Sequence, residues 1–204
     1  MHLFFHHLLI SCSCAFLTWC LYLKIKHTTL IDINWVVGVF SLVIYDYIIY
    51  PIYFPLDTEL FIFSRFHLLI ILFVGIWAVR LASFFIITRV LPGIQDSRYN
   101  YLKKSYKKNE NFNLLLNYFF QAGLQAILSS IFIMGMQLNQ SNNFYMYTGV
   151  FVTLIGVVGQ AIADFQLHSF KKQSDSSGLC KTGLWYYSRH PNYFFEIMFW
   201  TGIS

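Results

Sequence analysis

The residues with the clearest chemical purpose lie near the end of the chain. Arg189, His190, Asn192, Tyr193 and Glu196 crowd one stretch, Gly183-Leu-Trp-Tyr-Tyr-Ser-Arg-His-Pro-Asn-Tyr-Phe-Phe-Glu196, at the mouth of the last apolar segment. Pro191 suits a first helical position, because the N–H it lacks would be unpaired there anyway. A helix beginning there presents free N–H groups and a partial positive charge, which attract anions such as phosphates. Arg189 and His190 strengthen that pull. The competing reading is an interfacial anchor, since Arg, Tyr and Trp are common where a helix enters a bilayer. An anchor needs one cation and an aromatic or two. The run here is longer, and clustered ionisable groups at a dry boundary are costly.

Other stretches add chemistry. Asp96-Ser-Arg98-Tyr99 sets a carboxylate two residues from an arginine, followed by an aromatic, a pattern that can orient a phosphate-binding guanidinium. Arg80 lies deep in an apolar segment, where an interior anionic partner or ligand offsets its cost better than snorkelling does. Asp164, Gln166, His168, Lys171 and Lys172 follow one another at the end of another segment. They read equally as a ribose- and phosphate-binding set or as a helix end with solvated charge. Asp46, Tyr50 and Tyr53 share a helical face, and a tyrosine is the expected partner for the intramembrane Asp46. His2, His6 and His7 read as solvated interface histidines, with no matching cluster that would make a metal site. Cys12, Cys14, Cys20 and Cys180 form no metal or disulfide pattern and read as small core residues.

The elements that must position these groups are membrane helices. Of 204 residues, 57% are hydrophobic and only 11% charged, against about 25% charged in soluble domains. At this length the chain reads as one all-α membrane domain, residues 1–204. The net charge of +5 is not a nucleic-acid signal, because the cations sit in links between apolar segments. Spans are predicted near 3–23, 33–54, 66–88, 112–137 and 144–165, with Asp32 as the N-cap of the second. The first is read as a span and not a cleaved leader, since Lys24 and Lys26 follow it instead of preceding it. From Pro191 to Ser204 there is less than the roughly 20 residues a spanning helix needs. The expectation is therefore a bundle of five full spans plus an incomplete sixth.

Two sequence patterns predict how helices meet. Asn113, Asn117, Gln121, Gln125 and Ser129 recur every fourth residue as a polar stripe, chiefly interhelical glue and secondarily a cavity lining. Gly156, Gly159 and Ala163 permit close approach of a neighbouring helix. Lysines and arginines concentrate after the first, third and fifth segments. This puts those links, including Lys103, Lys104, Lys107 and Lys108, in the cytoplasm and the amino terminus outside. The setting is a bacterial inner membrane, or the endoplasmic reticulum in a eukaryote.

The run Asp164-Phe-Gln-Leu-His-Ser-Phe-Lys171, then Cys180-Lys-Thr-Gly-Leu-Trp-Tyr-Tyr-Ser-Arg-His-Pro-Asn-Tyr193 and Glu196, resembles the steroid 5-alpha-reductase-like integral membrane family. Asp32-x-x-Trp35, Trp77-x-x-Arg80-Leu81, Asp96-x-Arg98-Tyr99 and Gln121 fall in the order that family uses, so the resemblance spans about 30–204. It implies an NADPH-dependent reductase acting on a carbon–carbon double bond conjugated to a carbonyl, in a hydrophobic, lipid-like substrate. The related isoprenylcysteine methyltransferases share an Arg-His-Pro-x-Tyr core and use S-adenosylmethionine, so a membrane methyltransferase is the alternative. A non-catalytic membrane protein is a third. By motif, the resemblance assigns cofactor contacts to Arg80, Asp96, Arg98, Tyr99, Asp164, Lys171, Arg189, His190, Asn192, Tyr193 and Glu196, on the cytoplasmic side. The residues themselves lead to an expectation of no metal and no nucleic acid, and the resemblance assigns no proton donor. Two departures stand out: Phe195 occupies a position where the family usually has Gly, and the chain stops at Ser204, as a truncated member would.

Overall fold

The computed structural model describes residues 2–49, 65–96, 109–136, 143–172 and 178–204, together with Ile52, Tyr99, Tyr101 and Tyr106. Every regular element among them is helical. In lipid no water is present to satisfy backbone N–H and C=O groups, so long apolar runs must close their hydrogen bonds internally. The helices are α1 (His2–Ile25), α2 (Leu30–Ile44), α3 (Arg65–Phe85), α4 (Glu110–Met136), α5 (Asn143–Lys172), the single turn α6 (Leu184–Tyr187) and α7 (Pro191–Ile203). A π-helical turn, Tyr45–Ile49, extends α2, and another, Ile86–Val90, extends α3.

Among the described residues, four helices are long and apolar enough to cross a membrane: His2–Ile25, Leu30–Ile49, His67–Val90 and Phe144–Lys172. Leu9, Leu68, Val79, Phe120, Phe151 and Phe165 are exposed on helix surfaces. Such a surface would aggregate in water but matches lipid tails. By length and composition this is a multi-pass integral membrane protein.

The helices fall into two compact units, residues 1–137 and 138–204. In the first, α1 and α2 run antiparallel around a tight turn and pack with α4, while α3 packs on α2. Ala15, Tyr22, Leu30, Ile31, Leu114, Tyr118 and Ala122 form its buried core. A polar ladder sets the α1–α2 register. Thr18 donates to Asn34 at 2.9 Å, Cys14 to Ser41 at 3.7 Å, Tyr45 bonds His6, and His7 Nε2 lies 2.8 Å from Asp46 Oδ1. The amide stripe on α4 acts as glue where Gln125 donates to the Trp35 carbonyl at 2.6 Å. Gly38 makes room for it, because a Cβ there would sit 2.2 Å from Gln125 Oε1.

Three expectations are corrected. Asp32 is not the N-cap of α2, which begins at Leu30 with Thr29 in the cap position. Asp32 lies inside the first turn, and its carboxylate is taken by Arg89 and Tyr99. His7 is not solvated: it is fully buried, and it, not a tyrosine, is the partner of Asp46. Tyr50 and Tyr53 lie outside the described residues. Finally, α5 continues to Lys172, so Asp164, Gln166, His168 and Lys171 stand on a helix. No Gly or Pro interrupts Phe165–Lys172, and Lys171 and Lys172 in the last turn complement the negative end of the helix dipole.

Candidate functional site

In the second unit α5 and α7 pack backbone to backbone. A Cβ on Gly156 would meet the Phe199 backbone at 2.6 Å, and one on Gly149 would meet the Gly202 carbonyl at 2.6 Å. One on Gly159 would lie 2.3 Å from the Phe195 ring. Gly156 and Gly159 thus do what their spacing predicts, and Gly149 and Gly202 extend the contact. Phe195 has its counterpart in Gly159: the ring fills the space a side chain there would occupy. Glu196 faces the same seam, where it accepts from Gln160 and, at 2.8 Å, from Trp200 Nε1.

This packing fixes the segment leading into α7. Gly183 adopts φ +59°, and a Cβ there would also strike the Gln166 amide at 2.3 Å, so only glycine fits on both counts. Gln166 Oε1 accepts the Leu184 N–H at 2.9 Å, and Trp185 Nε1 donates to the Ala163 carbonyl at 2.9 Å. The loop is therefore fastened to α5 before the chain turns at His190 into α7. Pro191 opens that helix as its type predicts. The first helical bonds run from Tyr193 and Phe194 N–H to the His190 carbonyl, and no side chain caps the end. Arg189, His190 and Tyr193 are exposed. The His190 and Tyr193 rings stack at 5.2 Å and 12°. Asn192 is half-buried, and its Oδ1 is shielded and accepts no hydrogen bond among the described residues. Asp164 is buried on α5, and Lys171 is exposed at its end. An open apolar groove of about 560 Å³ runs along this unit, lined by Val158, Gly159, Ile162, Gln166, Leu184 and Phe195 among others.

The remaining site residues belong to the first unit. Arg80 is half-buried on α3, three residues after the buried Trp77. Arg98 lies outside the described residues, as do Lys103, Lys104, Lys107 and Lys108. Asp96 and Tyr99 are brought together through residues the motif did not single out. Arg89 donates to Asp96 at 3.1 Å and to Asp32 at 3.2 Å, and Tyr99 donates to Asp32 at 2.8 Å. The Arg89 guanidinium also lies 4.9 Å from the Phe85 ring centre. Gln95 ties the same link to the α1–α2 turn: its Oε1 accepts from the Thr28 hydroxyl at 2.7 Å and its amide donates to the Lys26 carbonyl. Tyr106 packs on the nearby core, where burial pushes its phenol pKa up. A carboxylate that accepts from Arg89 is positioned to hold the link. Spacing does not reveal this, because Asp32 and Arg89 are 57 residues apart.

The chain matches the model of the DUF1295 family, a protein family of unknown function, over residues 18–204. The chain belongs to the DUF1295 family. Every candidate cofactor residue of this DUF1295 protein lies inside the matched region, whereas His7 precedes it. No curated protein and no solved structure matches the chain.

Proposed function

We propose that this DUF1295 protein is an NADPH-dependent membrane reductase, acting on a carbon–carbon double bond conjugated to a carbonyl in a lipid-like substrate. The observation that carries the reading is the start of α7. Its N-cap residue His190 makes no side-chain cap, it is flanked by exposed Arg189 and by the stacked His190–Tyr193 pair, and it is adjoined by a shielded Asn192 Oδ1 that is unbonded among the described residues. Those features fit a dinucleotide in kind. A guanidinium suits a phosphate, an aromatic stack suits a planar ring, and an orphan amide oxygen suits a ribose hydroxyl or carboxamide N–H. When bound, NADPH supplies the hydride; the chain's residues grip and orient. Arg189 holds phosphate, Asn192 fixes a polar edge, and Asp164 orders its neighbours. The motif adds Arg80, Asp96, Arg98, Tyr99 and Lys171 on the steroid 5-alpha-reductase-like resemblance alone. The groove beside Phe195 suits the apolar body of such a substrate.

This reading also takes the finer topology: five full spans and a shorter last helix, the amino terminus outside, and the α7 start on the cytoplasmic side, where NADPH is found. The test is cofactor binding to the purified full-length chain in detergent, followed by NADPH fluorescence and thermal shift. NADPH binds, Arg189→Ala and Asn192→Ala abolish it, and Lys103→Ala leaves it intact. Binding of S-adenosylmethionine in its place would establish the methyltransferase reading. Binding of neither would leave a non-catalytic membrane protein.

A further inference from the structure

Six titratable side chains, His6, His7, Tyr45, Asp46, Tyr47 and His67, gather where the start of α1 meets the π-helical end of α2 and the start of α3. The reductase reading uses none of them. At the centre, His7 and Asp46 are 0% and 4% exposed and 2.8 Å apart. Asp46 Oδ2 is buried as well and accepts no hydrogen bond among the described residues. A buried acceptor left without a donor forfeits the hydration it would have in water. A pair serving only to glue two helices gains nothing from that second oxygen.

The surroundings connect this oxygen outward. Half-buried His6 and Tyr45 bond each other, and the Tyr45 ring stands edge-on to His6 at 5.7 Å and to His7 at 6.5 Å. On the other side the buried Tyr47 ring lies 5.0 Å from half-buried His67. Groups with exchangeable hydrogens thus stand beside the buried pair, and His6, Tyr45 and His67 among them are only half-buried. Asp and His chains inside membrane bundles mark proton pathways. The π-turn is a second sign: such turns recur at functional sites, and within this one the sequence neighbours Tyr45 and Asp46 both face α1.

We propose that His7 and Asp46 form a proton-binding site, with His6 and Tyr45 as its approach. In this proposal the resting pair holds two protons, one on His7 Nδ1 and one shared between Nε2 and Asp46 Oδ1, for a net charge of zero. One further proton from water adds to the pair, with Oδ2 as the available lone pair, and raises the charge to +1. Release reverses the step, and no other bond changes. Among the described residues, Tyr45 from the end of α2 stands against His7 and its neighbour Tyr47 feels the Asp46 charge; His6 from α1 contacts Tyr45, and His67 from α3 contacts Tyr47.

The test is an infrared pH titration of the full-length chain in lipid nanodiscs. Acidification brings up a carboxylic-acid C=O band that moves when aspartate is isotopically labelled and disappears in Asp46→Asn. In His7→Gln its midpoint shifts by about one pH unit or more, as coupled titration requires. Asp32→Asn leaves it unchanged. If Asp46→Asn does not fold, Asp46→Glu replaces it: the band then persists but no longer responds to the aspartate label. A pH-independent aspartate signal, or a band indifferent to His7→Gln, overturns the proposal and leaves the pair as helix glue.

Discussion

The two units weight helix association differently, although the second also has the Gln160–Glu196 bond across its seam. In the first, polar side chains lie inside: His7–Asp46, Thr18–Asn34 and Gln125–Trp35 join helices through hydrogen bonds. In the second, Gly149, Gly156, Gly159 and Gly202 let α5 and α7 touch directly, and most of the candidate polar residues collect at one end, outside the seam. Lipid gives helices no hydrophobic reason to associate, so packing and hydrogen bonding must do it. In the second unit the glycine contacts carry the α5–α7 seam together with Gln160 and Glu196, and Gln166 and Trp185 fasten the preceding loop. Its Arg189 and His190 are exposed, while Asp32, Asp96 and Tyr99 of the first unit are engaged in holding a link.

The contrast can be broken at five points. The largest effect belongs to His7→Ala, which leaves the Asp46 carboxylate buried beside a hole; removing one partner of a buried pair costs about 3–5 kcal/mol. Thermal unfolding of the first unit in detergent should fall accordingly, and a near-neutral result would mean the pair is not buried. Gly156→Leu comes next. Its side chain would collide with the Phe199 backbone, which cannot swing away, so a loss of about 3 kcal/mol is expected. Limited proteolysis should then cut residues 178–204 first and spare the α1–α2 core. Arg89→Ala removes both carboxylate contacts of a partly exposed guanidinium and should cost about 1–2 kcal/mol. Proteolysis within the link between α3 and α4 reports it, and an unchanged pattern would remove Arg89 from its role. Gln125→Leu should cost about 0.6–1.7 kcal/mol, the range for interhelical hydrogen bonds in membranes. By contrast, Arg189→Ala should move stability by less than about 0.5 kcal/mol, as an exposed substitution does, while abolishing NADPH binding. Comparable losses of stability from Arg189→Ala and Arg89→Ala would erase the distinction between the units.

Much of this was legible in the residues themselves. Long apolar runs with few charges dictate helices, because lipid leaves the backbone no other partner. The small residues Gly156, Gly159 and Ala163 announced the α5 contact, the amide stripe announced α4 as a glued helix, and Pro191 announced where α7 begins. Those signals are local: each depends on spacing within one element. The partners were not legible. Nothing within α1 distinguishes a buried His7 from a solvated His2, since the difference lies in Asp46 arriving from α2. Nothing in Asp96-Ser-Arg98 reveals that Asp96 answers to Arg89, or that Asp32 completes the network from another helix. Nothing around Phe195 reveals that Gly159 stands opposite its ring. The sequence by itself determined the class of protein, its helices and the stretch richest in chemistry. Only the tertiary structure decided which of those polar groups are satisfied by one another, because hydrogen bonds between helices are set by register and distance, which no single segment encodes.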